Sequence, residues 1–184
     1  MGLILCGGKS KDSQKGLREF GESNFAETIS KVLSEFVEQS IFSVNEIQFP
    51  EYLQRFQNSE IIIDSYKLGE PFAGILSAYS AFRIFNFIAI PCEMVENTRE
   101  LIQTLLDEYK NDPRHEFYIF KQGEKIYPYC GIYTSRGISK IHNYYNEGQN
   151  LIPADSILES FDTKFIPIEQ KVLISPALDS PKIH

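Results

Sequence analysis

The chain has 184 residues, which suits one domain with a sizeable buried core. Its 42% hydrophobic and 23% charged residues are an ordinary globular balance, and a formal net charge of -7 argues against wrapping a nucleic-acid backbone. An anionic small molecule bound by so acidic a chain needs a local set of cations, converging backbone N–H groups or a metal ion.

Taken in chain order, apolar runs of strand length alternate with segments of helical period. The run 2–6 reads as a buried first strand. Asn24 is placed to cap a helix that carries Phe25, Ile29, Val32, Leu33 and Phe36 on one face. Residues 40–45 read as a second strand, and Pro50 opens a short helix with Tyr52, Leu53 and Phe56. Ile61-Ile62-Ile63 reads as a third strand, buried on both faces, ending in Asp64. After a loop with Gly69 and Pro71, the spacing of Phe72, Ile75, Leu76, Tyr79 and Phe82 predicts a helix. Residues 87–91 form the next strand, stopped by Pro91. A helix over 98–109, with Asn97 as its cap, turns Leu101, Ile102, Leu105 and Leu106 inward. Strands over 116–121 and 126–133 are joined by a turn at Gly123. A helix over 135–146 and a strand over 163–168 follow. Such alternation means βαβ units around a mostly parallel sheet, with the hairpin making it partly mixed. Ligands of such sheets sit at the carboxyl ends of the strands, which selects the positions after Cys6, Val44, Ile63 and Pro91.

The three cysteines, Cys6, Cys92 and Cys130, form no CxxC pair, so neither a zinc knuckle nor a disulfide framework is expected. Buried thiols in a reducing compartment fit better. The apolar start is too short for a signal peptide or a membrane span, and a cytoplasmic protein is expected. His115, His142 and His184 are scattered, and no GxSxG elbow exists for a serine hydrolase. Tyr127, Tyr129, Tyr133, Tyr144 and Tyr145 are core or rim aromatics more simply than a base-stacking platform.

The first strand runs into Gly7 and Gly8, which let backbone N–H groups approach an anion, and Lys9, Lys11, Lys15 and Arg18 surround that loop with positive charge. The spacing is neither GxxxxGK[ST] nor GxGxxG. The competing reading is a lysine-rich surface turn. Asp64 is either a cap or a carboxylate at a nucleotide edge. Glu93, just past a buried strand, is either a solvated loop residue or a magnesium ligand, since magnesium takes one or two carboxylates plus phosphate oxygens and water.

In this order the pieces resemble the molybdenum cofactor guanylyltransferase family (molybdopterin-guanine dinucleotide biosynthesis protein A), nucleotidyltransferases with a Rossmann-like sheet. That family opens with L-x-G-G-x-S-x-R-M-G-x-D-K, similar to Leu5-Cys6-Gly7-Gly8-Lys9-Ser10 and then Lys15. Its D…GPLAG run is similar to Asp64 followed by Glu70-Pro71-Phe72-Ala73-Gly74. Its P-C-D-x-P is similar to Pro91-Cys92-Glu93-Met94-Val95, and its H-P-x-x-G-L-[WY] to Tyr127 through Tyr133. The resemblance covers roughly residues 2 to 145. Here the loop is shorter and lacks R-M-G, Gln14 precedes the lysine in place of Asp, and Glu93 replaces Asp. The final N-x-N-T-P-E-D landmark is reduced to Leu178-Asp179-Ser180-Pro181.

The resemblance implies a Rossmann-like three-layer α/β sandwich, with a mostly parallel, partly mixed sheet, as a single domain over 1–184. It implies magnesium-dependent transfer of GMP from GTP to molybdopterin or molybdenum cofactor. Leu5, Cys6 and Gly7 would hold the nucleotide through backbone groups, with Gly8 shaping the loop. Lys15 would contact phosphates, and Asn45 and Asp64 the nucleoside. Glu93 would bind GTP and Mg2+, so that Lys15 and Glu93 are the catalytic pair. Cofactor-delivery proteins are further implied partners, and no nucleic acid or membrane is. Lys121, Lys125 and Arg136 are candidates for the pterin phosphate. The alternatives are transfer from CTP or to a sugar phosphate, and a non-catalytic nucleotide-binding homologue.

Overall fold

Runs such as Leu3-Ile4-Leu5 and Ile88-Ala89-Ile90 are too short for buried helices and too continuously apolar for a half-exposed strand, so each must be covered on both faces. A computed structural model, which describes residues 1–7, 15–146 and 153–168, shows how. The strands are β1 Gly2–Leu5, β2 Glu19–Phe20, β3 Ser23–Asn24, β4 Ser40–Val44, β5 Glu60–Ile63, β6 Phe87–Pro91, β7 Phe117–Gln122, β8 Lys125–Tyr133 and β9 Thr163–Pro167. The α-helices are α1 Phe25–Leu33, α2 Phe49–Arg55, α3 Phe72–Ala81, α4 Thr98–Asn111, α5 Ser135–Asn146 and α6 Ala154–Ser160. A 3-10 turn spans Lys15–Leu17.

Seven strands make one sheet in the order β5-β4-β1-β6-β8-β7-β9, while β2 and β3 pair separately. β5, β4, β1 and β6 are mutually parallel; β8 runs antiparallel to β6 and β7, and β9 is parallel to β7. Helices α1, α2 and α4 cover one face, where Ile29, Leu33, Tyr52, Leu101 and Leu105 pack on Ile4, Phe42, Ile90 and Phe120. Helices α3, α5 and α6 cover the other, where Ile75, Leu76, Ile138, Ile141 and Leu158 pack on Leu3, Ile41, Ala89 and Phe117. Neighbours such as Leu3 and Ile4 serve opposite faces, as the strand period requires. This is the expected three-layer sandwich with a mostly parallel, partly mixed sheet.

Local chemistry accounts for individual elements. Asn24 caps α1: its Oδ1 accepts from Glu27 N at 2.9 Å. Lys31 pairs with Glu27 one turn back at 3.4 Å, on the side away from buried Ala26, Ile29 and Leu33. Gly123, at φ 55, opens the two-residue turn between β7 and β8. Two expectations need correction. Ile61, Ile62 and Ile63 are only half-buried, because β5 is the edge strand of the sheet. Asn97 takes the N-cap position of α4, its carbonyl accepting from Leu101 N at 3.0 Å, but at φ 56 its side chain makes no cap bond. The β2–β3 pair and α6 were not anticipated.

Because β5, β4, β1 and β6 are adjacent and parallel, the residues that follow them line one edge of the sheet. Asp64, Asn45, Cys6-Gly7 and Cys92-Glu93 are thereby brought together.

Candidate active site

The end of β1 is stitched to both neighbours. Cys6 N and Gly7 N both donate to Ser43 O, at 2.8 and 3.0 Å, and Cys92 N donates to Leu5 O at 3.0 Å. Cys6 O accepts from Gln48 Nε2 at 2.8 Å. The Gln48 oxygen in turn accepts from Asn45 N at 3.0 Å. The buried Gln48 carboxamide therefore acts as one more rung of the β1–β4 ladder, past the point where the strands separate. These bonds commit the N–H groups of Cys6 and Gly7 to the fold. Leu5 and Cys6 retain second carbonyl lone pairs to offer a ligand. Gly8, with Lys9 and Lys11, lies outside the described residues.

Asn45 holds the turn into α2, its Oδ1 accepting from Ile47 N and Gln48 N, each at 3.0 Å. Asp64 is tied by its backbone N–H to Val44 O at 2.8 Å and by its carboxylate to the Ser43 hydroxyl. Two glycines permit this placement. A β-carbon on Gly7 would lie 2.2 Å from Asp64 Oδ2, and one on Gly74 of α3 would lie 2.3 Å from Ser43 Oγ. Burial pushes the Asp64 carboxyl up to about 6, with the Glu70 charge adding to the rise and the Ser43 hydrogen bond opposing it.

Beyond β6 the chain turns tightly, with Met94 N donating to Pro91 O at 3.1 Å. Glu93 in that turn meets Lys15: Nζ and Oε1 are 3.5 Å apart, with the two side chains 26% and 16% exposed. Both groups are largely withdrawn from water, a desolvation cost that offsets their attraction, so stability alone does not explain placing the pair here. Magnesium takes few protein ligands when phosphates supply the rest. Glu93 offers one such carboxylate, and among the described residues no group of three His, Cys, Asp or Glu could hold a metal. That donor set fits a cation arriving with phosphate rather than an all-protein cage.

The structure thus brings Leu5, Cys6, Gly7, Asn45, Asp64, Lys15 and Glu93 to one edge. Of the basic candidates, Lys121 and Lys125 flank the β7–β8 turn, with Lys121 3.7 Å from Glu124 and Lys125 4.7 Å from the Tyr127 ring centre. Arg136 bonds the Arg114 carbonyl at the start of α5. There β8 has reached the beginning of β6, as Tyr133 pairs with Phe87, so Arg136 stands at the opposite edge from the site. Ser43 and Gln48 carry no sequence signal, because their roles are contacts between distant segments. Gly74 lies inside the Glu70–Gly74 run, and its packing on Ser43 and Asp64 gives that run a structural reason.

No described helix is long and apolar enough to cross a membrane. The MobA-like NTP transferase domain family matches residues 2–162. A probable molybdenum cofactor guanylyltransferase of Clostridium perfringens (strain SM101 / Type A) is 29% identical over 133 residues, which are 71% of this chain and 63% of that protein. One of Bacillus mycoides (strain KBAB4) is 30% identical over 115 residues, 60% of this chain and 57% of that protein. The chain therefore spans less than two thirds of the length of these relatives. In fold it is similar to molybdopterin-guanine dinucleotide biosynthesis protein A from Archaeoglobus fulgidus, with TM-score 0.71, 18% identity and coverage of 90% of this chain and 82% of that one. It is also similar to a CMP:2-keto-3-deoxy-manno-octonic acid synthetase complexed with CTP, with TM-score 0.64, 11% identity and coverage of 96% and 92%. With a family match over most of its length and the matching sheet beneath it, this chain belongs to the MobA-like NTP transferase domain family.

Proposed function

We propose that this chain is a cytoplasmic nucleotidyltransferase that moves GMP from GTP to the phosphate of molybdopterin or molybdenum cofactor, releasing pyrophosphate. The observation that carries the reading is the Lys15–Glu93 pair, 3.5 Å apart at the strand edge where Gly7 abuts Asp64. The named relatives support the choice of nucleotide and acceptor.

In the reaction an acceptor phosphate oxygen attacks the α-phosphorus of GTP in line. The bond from that phosphorus to the bridging oxygen breaks, and the electron pair leaves with pyrophosphate. An ionised phosphate nucleophile needs no strong general base, so positioning and charge neutralisation carry the catalysis. Lys15 supplies a cation to the phosphates. The Leu5 and Cys6 carbonyls, with Asp64 behind Gly7, form the wall that meets the nucleoside. Asn45, through its turn, fixes the floor of that wall. Glu93 would hold Mg2+, which when bound neutralises phosphate charge.

The test is calorimetric titration of GTP, CTP, ATP and UTP in magnesium buffer, followed by assay of labelled GMP transfer. Saturable GTP binding with transfer is expected. A preference for CTP contradicts the choice of nucleotide, and GTP binding without transfer contradicts the enzyme.

A further inference from the structure

Tyr52 of α2 is fully buried, and its hydroxyl lies within side-chain hydrogen-bond reach of the Cys6 thiol. Its ring is fixed against Phe42 and Phe56, with ring centres 5.9 and 5.5 Å away. Its polar neighbours are the thiols of Cys6 and Cys92, at the ends of β1 and β6. Gly16 stands against the same hydroxyl. A β-carbon there would lie 2.2 Å from the Tyr52 oxygen, 3.2 Å from Cys92 Sγ and 3.3 Å from Ala26 Cβ. Gly16 is a glycine because of this close approach. Gly16 follows Lys15 directly, and Cys92 directly precedes Glu93. One contact therefore seats both partners of the ion pair.

Resting on the reading of Lys15 as the lysine of the phosphate side, we infer that Tyr52 is a positioning residue: its hydroxyl is the seat on which Gly16 rests, and so sets where Lys15 stands over Glu93. The ring cannot retreat, because Phe42 and Phe56 pack against it. A methyl added at Gly16 must therefore lift the turn Lys15–Leu17 and separate Lys15 from Glu93. Removing the oxygen makes room for that methyl.

The experiment measures the acylation rate of Lys15 by an amine-reactive ester, peptide by peptide, in wild type, Gly16→Ala, Tyr52→Phe, the double variant and Glu93→Gln. Exposed Lys110 on α4 is the internal reference. An ammonium held against a carboxylate is shielded, so Glu93→Gln calibrates full release. Gly16→Ala is expected to raise the Lys15 rate about threefold or more and Tyr52→Phe about twofold, with Lys110 unchanged. The double variant is expected back within about twofold of wild type, the non-additive result of a shared contact. If Gly16→Ala does not fold, Tyr52→Phe and the double variant still decide the matter. Equal acceleration by Gly16→Ala in both backgrounds, or a Lys15 rate that Tyr52→Phe leaves untouched, overturns the inference. The readout needs no nucleotide. Coupled labelling in a protein that binds no GTP would leave the seat standing and remove the function, while uncoupled labelling in a protein that transfers GMP would do the reverse.

Discussion

Gly7 and Asp64 stand so close that a β-carbon on Gly7 would lie 2.2 Å from Asp64 Oδ2. The start of the loop and the end of β5 are thus one contact, with Ser43 of β4 bonded to the same carboxylate.

Gly7→Ala is therefore expected to destabilise the protein by about 1–3 kcal/mol, as overpacking does. Asp64→Ala in the same chain should restore much of the loss by removing the clashing oxygen. Thermal unfolding of the three variants checks this. Equal loss in both backgrounds would show that Gly7 is constrained by something else.

The Asp64 carboxyl, pushed up to about 6 from 3.8, gives a pH signature. Its folded value lies above its unfolded one, so its contribution is fully present below about pH 4 and is lost as pH rises through about 6. At pH 7 and above the buried charge costs about 2–3 kcal/mol. Asp64→Asn should accordingly be the more stable protein at pH 8, with the gap closing toward pH 4, while binding GTP less well. Urea unfolding across that range measures it. A gap independent of pH would mean that Asp64 does not titrate as described.

Gln48 bridges Cys6 O and Asn45 N. Gln48→Ala strands both groups near the sheet edge and is expected to lower stability by about 1–3 kcal/mol. Gln48→Glu keeps the acceptor for Asn45 N but loses the donor to Cys6 O. It should fall between wild type and alanine at a pH where the carboxylate is charged, as read by chemical denaturation.

What the sequence disclosed and what it hid follow one physical line. Periodicity is local, so Leu3-Ile4-Leu5, Phe87 to Pro91 and the Gly123 turn could be read directly, as could the Asn24 cap. The order of strands is not local. Ile61-Ile62-Ile63 has the composition of a central strand, and only the pairing of β5 with β4 alone makes it an edge. Helix α6, with Ile157 and Leu158 as its buried residues, is too short to show a period. At the site, Cys6, Gly7, Lys15, Asn45, Asp64 and Glu93 were visible as strand ends and glycine-adjacent charges. Ser43, Gln48 and Tyr52 were not, since each acts only through a partner brought to it by the sheet.

Lys15→Ala should weaken triphosphate binding by about 1–3 kcal/mol, the loss of a charged partner. Calorimetry with GTP and magnesium reads it directly, and an unchanged dissociation constant would remove Lys15 from the site.

The central claim is that Glu93 and Lys15 meet in order to handle the phosphates of GTP. The most direct measurement is transfer of labelled GMP from GTP to molybdopterin, with magnesium, by wild type and Glu93→Gln. Wild type should turn over, and Glu93→Gln should lose about a hundredfold or more in rate at nearly unchanged melting temperature. Equal transfer by the two proteins, or none by wild type, would contradict the account.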